Sequence, residues 1–212
     1  MAGFKEERFV EFKAAYVTKW KNEEEFWPEI IFLGIRGTDK GLGQFTPYPG
    51  ECFQLHYMSE KSTLFDDGLV KSDDSSQPKM PKKFIDIIEK GWDERLVNER
   101  TKKAIEYISR FIPGFKNAKI TKTPLFGTQQ IPGNDPELRA TEVFIANRYA
   151  KCEIVKASSI IEMVKVIKKE LEKYNITPKK LKLDEKELER LSCELAQKRD
   201  YPQELGKISF RK

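Results

Sequence analysis

The chain has 212 residues, 39% of them hydrophobic and 11% aromatic, enough to bury a core of one large domain or of a domain with an appendage. Its 34% charged fraction is spread among apolar residues at structured spacings, which excludes a disordered chain. The formal net charge of +5 comes from lysines mixed with glutamates, as in KKELEKYNITPKKLKLDEKELER, so a clustered nucleic-acid footprint is not expected.

No run of about 18 apolar residues is present, so no membrane span is expected. The beginning, MAGFKEERFVEFK, is charged from its fifth residue and lacks the apolar stretch of a secretory signal, so the expected location is cytoplasmic. Cys52, Cys152 and Cys193 are far apart and form no CxxC pair. With His56 as the one histidine they offer no zinc-ligand spacing, and no metal is expected. A Cys52–His56 nucleophilic pair fails on geometry, since residues four apart in a strand are separated by about 13 Å.

In chain order, RFVEFKAAYVTKW (residues 8–20) is rich in Phe, Val and Tyr and reads as a strand. Pro28 opens PEIIFLGIRGT, whose apolar run over residues 30–33 suits a strand buried on both faces. GLGQFTPYPG and CFQLHYMS follow as third and fourth strands, divided by Pro49-Gly50. Such brief turns imply an antiparallel meander. After the exposed connection KSDDSSQPKMP, two helices are expected. One carries Phe84, Ile85, Ile88 and Trp92, the other Val97, Ala104, Ile105, Ile108 and Ile112, and the second ends at Pro113-Gly114.

Next, NAKITKTPLFG is extended, TQQIPGNDPELR reads as a polar loop, and two strands cross ATEVFIANRYAKCEIVK. A helix then starts at Ser158-Ser159, with Ser159 and Glu162 spaced as a capping box and Ile160, Val164, Ile167 and Leu171 on one face. Residues 184–199 form a last helix with Leu188, Leu191 and Leu195 as its inner stripe. Strands and helices are segregated, which predicts an α+β fold: an antiparallel β-sheet with helices packed on one face and a charged helical tail over residues 175–212.

Four features bear on chemistry. Gly41-Leu42-Gly43 has the start of a G-x-G-x-x-G turn, but the prolines of QFTPYP forbid the helix a dinucleotide site needs, so a turn between strands is expected. Alternation brings Arg36, Gln44, Tyr48, Gln54 and His56 toward one sheet face. Arg36 suits a carboxylate and His56 suits proton exchange near neutral pH, although the same residues also fit the solvent side of a half-exposed sheet. The loop with Thr128, Gln129 and Gln130 gathers donors and acceptors, and the helix start at KASSIIEMV offers free N–H groups to an anion.

The stretches RGTDKGLGQFTPYPGECFQLHYMSEKSTLFDDGLV, RFIPGFKNAKITKTPLFGTQQIPGNDPELRATEVF and RYAKCEIVKASSIIEMVKVI resemble the C-terminal, substrate-side half of bacterial FAD-dependent oxidoreductases of the D-amino-acid oxidase/glycine oxidase type. The resemblance covers about residues 8–171. It implies a substrate/cap domain over residues 1–174, in which residues 113–174 return to the flavin.

In that reading Arg36 anchors a substrate carboxylate, Gln44 and Tyr48 shape the pocket, and His56 is a candidate base. Thr128, Gln129, Gln130 and Pro132 lie near the flavin ring, and Ala157, Ser158 and Ser159 form the last helix start beside it. The nucleotide-binding half with its glycine turn is missing, and the helix start reads KASSI where the family has glycines. The resemblance therefore implies an FAD-binding polypeptide as partner. The alternative is a catalytically inactive remnant that binds a ligand, another protein or a second copy of itself.

Overall fold

The computed structural model describes residues 7–21, 26–72, 78–121, 123–137, 142–146, 149–153, 159–176 and 184–207. Its elements are β1 (Arg8–Lys19), β2 (Ile30–Phe32), β3 (Gly43–Tyr48), β4 (Cys52–Tyr57), β5 (Leu69–Lys71), α1 (Lys82–Lys90), α2 (Glu94–Ile108), β6 (Lys119–Ile120), β7 (Leu125–Pro132), β8 (Glu142–Ala146), β9 (Tyr149–Glu153), α3 (Ile160–Glu172) and α4 (Glu185–Lys198). The fold is α+β with antiparallel strand pairing throughout the named ladders. The chain divides into two units, one of Met1–Phe12, Asp67–Phe84 and Thr128–Lys182, the other of Lys13–Asp66, Ile85–Gly127 and Leu183–Lys212.

The second unit is built on the expected meander. β2, β3 and β4 follow one another antiparallel, and β1 lies beside β4 with Tyr16 opposite Leu55 and Val17 opposite Gln54. Strand alternation then separates two faces. Tyr16, Phe45, Phe53, Leu55 and Tyr57 point to one face and join Ala104, Ile105, Tyr107 and Ile108 of α2 in the core. Phe45 stacks on Phe53 at 4.7 Å, and Phe115 meets both rings edge-on at 5.1 and 5.9 Å. Each such pair contributes about 1 kcal/mol beyond its buried area.

α2 starts where Asp93 accepts a hydrogen bond from the Leu96 amide at 2.8 Å. It buries Val97, Thr101, Ala104, Ile105 and Ile108, a stripe at helical spacing. Arg100, on the flank of that stripe, stacks over Phe65 at 3.8 Å and bonds the Ser62 carbonyl at 2.8 Å.

In the first unit, β5 pairs with the beginning of β1, Phe9 opposite Lys71, and Phe12 stacks on Phe84 of α1 at 4.6 Å. β8 and β9 form a separate hairpin, Glu142 opposite Glu153.

Several sequence expectations change. The run over residues 30–33 is not buried on both faces: β2 pairs with β3 alone at a sheet edge, leaving Ile31 52% and Leu33 89% exposed. The polar segment that reads as a loop is a strand as far as Pro132, because the breakers come only at Pro132-Gly133 and β7 pairs with β1. α1 buries only Phe84 of its expected stripe, and Trp92 lies beyond its end.

The capping box at Ser159 does not form. Its backbone (φ −76°, ψ −9°) is already helical, whereas a cap needs extended backbone to aim its hydroxyl at the first amides. Nor does α4 pack through its leucines: Cys193 and Ala196 are buried, while Leu191 and Leu195 are nearly half exposed. The reason is the returning chain, where Gly206 lies so close to the backbone of Ser192 and Cys193 that a Cβ would stand 2.5–2.6 Å from it.

Candidate functional site

The face of the second unit's sheet turned away from the core is polar, and strand register explains why. Gln44 lies opposite His56, Thr46 opposite Gln54 and Tyr48 opposite Cys52, so these side chains all emerge on one side. They form two runs of hydrogen bonds. Tyr48 Oη donates to Gln54 Oε1 at 3.0 Å, and Gln54 Nε2 lies 2.8 Å from His56 Nε2. Beside them Glu29 Oε1 accepts from Gln44 Nε2 at 2.6 Å and from Thr46 Oγ1 at 2.8 Å. Gln44, Thr46, Tyr48, Gln54 and His56 are all half-buried.

Electrostatics hold this face neutral at its centre. Burial pushes the His56 imidazole down to about 4, Lys13 adding to the effect and Glu29 opposing it. Burial and then Glu29 push the Tyr48 phenol up, and burial does the same to the Cys52 thiol. At neutral pH His56 is an uncharged ring that shares a hydrogen with Gln54.

Of the sequence candidates, the structure brings Gln44, Tyr48 and His56 together. Arg36 is half-buried in the turn after β2, whose backbone is fixed by Gly37 N–H donating to the Met58 carbonyl at 2.8 Å. The alternation QFTPY also marked Thr46. Lys13 and Glu29 carried no such signal, because Glu29 precedes β2 and Lys13 lies in β1, distant in sequence from β3 and β4.

Thr128, Gln129, Gln130 and Pro132 belong to the other unit. Thr128 is exposed, Gln129 half-buried and Pro132 buried. Gln130 Nε2 donates to Glu153 Oε1 at 3.0 Å, and the same oxygen accepts from Arg8 Nη1 at 2.6 Å and lies 3.4 Å from Lys151 Nζ. This buried carboxylate with its cations has no local signature in the sequence: its members are scattered over three strands, β1, β7 and β9. Ala157 and Ser158 lie outside the described residues, and Ser159 makes no side-chain cap bond at the head of α3.

The Gly41-Leu42-Gly43 turn serves packing. A Cβ on Gly41 would fall on the Met58 carbonyl, and one on Gly43 would stand 2.7 Å from the Tyr107 ring. These glycines therefore face the chain's own atoms and leave no open cradle for a phosphate.

A cleft of about 390 Å³ lies between the β8–β9 hairpin and α3, lined by Ile145, Tyr149, Ile167, Leu171 and Tyr174. Its one carboxylate, Glu170, is paired with Lys173 at 2.6 Å, and it holds none of the sequence candidates. Among the described residues no cluster of three potential metal ligands occurs, and no helix is long and apolar enough to cross a membrane. No protein-family model, curated protein or solved structure matches the chain.

Proposed function

We propose that the chain is the substrate-holding side of an FAD-dependent oxidoreductase acting on an amine, an amino acid or a hydroxy acid, completed by a separate FAD-binding polypeptide. The observation that carries this reading is the half-buried Tyr48–Gln54–His56 run on the non-core face of an antiparallel sheet. A small polar ligand needs convergent donors and acceptors on a shielded surface, and this face supplies them. The sequence resemblance supplies the class of reaction.

The described residues do not fit a self-sufficient FAD site. The glycines of Gly41-Leu42-Gly43 are filled by the chain itself, and the Gln130 amide is engaged by the buried Glu153 carboxylate. A second polypeptide would have to hold the pyrophosphate. The part of this chain is to bind and orient: Gln44 and Tyr48 would contact the substrate's polar groups, with Arg36 a candidate for its carboxylate. His56, held uncharged by burial, can accept a proton only weakly at neutral pH. Three unpaired thiols, Cys52, Cys152 and Cys193, accord with a reducing compartment such as the cytoplasm.

The same low basicity favours a second reading, a module that binds a ligand or a second copy of itself without turning anything over. One experiment separates the two. The chain is mixed with a polypeptide carrying a strand and a G-x-G-x-x-G turn, encoded beside it, and the flavin spectrum is followed under amines, amino acids and hydroxy acids. A yellow complex bleached by one of them supports the oxidoreductase. A stable homo-oligomer that takes up no flavin in any pairing supports the binding module and ends the first reading.

A further inference from the structure

The order of hydrogen bonds along Tyr48, Gln54 and His56 leaves only two self-consistent arrangements. In the structure Tyr48 Oη donates to Gln54 Oε1, and Gln54 Nε2 then points its hydrogen at His56 Nε2. That nitrogen must be bare, so the neutral ring carries its proton on Nδ1. If His56 gains a proton, Nε2 becomes a donor and confronts the amide N–H. A half-turn of the Gln54 amide removes the conflict, a rotation about a soft terminal torsion. Gln54 Oε1 then accepts from His56, Nε2 donates to Tyr48 Oη, and the Tyr48 hydrogen is displaced toward whatever lies over the sheet.

We propose that Gln54 is the specificity-determining residue of this face, an amide switch that sets whether Tyr48 presents a lone pair or a hydrogen to the ligand. With His56 uncharged, Tyr48 offers an acceptor and suits an amine or hydroxyl. With His56 protonated, Tyr48 offers a donor and suits a carboxylate. The charged and titratable groups bearing on the switch are Lys13 of β1, Glu29 before β2, Tyr48 of β3 and Cys52 of β4. Lys13 resists protonation of His56, and an anionic ligand close to the ring would favour it. Ligand charge and amide orientation are thus linked. The choice of ligand group rests on the proposal that this face holds the substrate, whereas the switch itself does not.

Nuclear magnetic resonance of the full-length ¹⁵N,¹³C-labelled chain tests the switch, helped by His56 being the one histidine. At pH 7 the expected ring has a protonated Nδ1 and a bare Nε2. On acidification the Gln54 side-chain amide and the Tyr48 ring carbon bearing oxygen shift with the His56 midpoint. In Gln54→Glu, whose carboxylate accepts from both neighbours, that midpoint rises by at least tenfold in proton affinity. A neutral ring protonated on Nε2 overturns the proposal, because the amide would already be turned. So does a Gln54 amide that ignores the His56 titration. Neither readout involves flavin, so failure of the flavin reconstitution leaves this result standing.

Discussion

Gln54 Nε2 stands 2.8 Å from His56 Nε2, and the two residues project from the same face of β4, two positions apart. The contact joins the chain's one imidazole to a neutral amide. A salt bridge would have raised the ring's proton affinity, whereas this partner leaves burial to lower it.

That has a consequence for stability. The folded His56 titrates at about 4, below its ordinary 6.5, so the unfolded chain binds the proton first. Its contribution is fully present above pH 6.5 and is lost as pH falls through 4, up to about 3 kcal/mol. Urea unfolding at pH 7, 6 and 5 is expected to show this slope, and His56→Gln is expected to flatten it.

Loss of Arg100 is expected to destabilise the second unit. Its guanidinium bonds Tyr16 Oη at 2.9 Å and the Ser62 carbonyl at 2.8 Å, also reaches the Leu64 carbonyl, and covers the Phe65 ring. Arg100→Lys keeps the charge and loses the fork, and is expected to lower stability by about 2 kcal/mol. Arg100→Ala strips the stacking as well and is expected to cost about 3 kcal/mol. Denaturant midpoints of the two variants check the order.

In the first unit, Glu153 and Arg8 are 6% and 5% exposed and joined at 2.6 Å. Removing one partner strands a buried charge, so Glu153→Ala or Arg8→Ala alone is expected to cost about 4 kcal/mol. Arg8→Met combined with Glu153→Leu is expected to recover most of that loss. A double-mutant cycle measured by thermal unfolding decides it, and additive losses would show that the pair is not coupled.

The polar face was legible because β3 and β4 alternate strictly. QFTPY and CFQLHY place every second residue on one side, and the antiparallel turn at Pro49-Gly50 brings the two sets opposite. Gly41-Leu42-Gly43 was legible as a turn for a local reason, the prolines that follow it. Local pattern failed where a distant partner decides the structure. Nothing within TQQIP announces that β7 pairs with β1, and nothing near Arg8 names a carboxylate 145 positions away. The α4 leucines misled for the same reason. The small residues of α4 became its contact face only because Gly206 returns against Ser192 and Cys193.

The central claim is that the Gln44–Tyr48–Gln54–His56 face carries the ligand. Its most direct test is the amide and side-chain spectrum of the labelled full-length chain as glycine, lactate or a primary amine is added in turn. Shifts concentrated at Gln44, Tyr48, Gln54 and His56 are expected for at least one of them, weakened in Tyr48→Phe. Shifts gathered instead at the Ile167–Tyr174 cleft, or absent for all three, would contradict it.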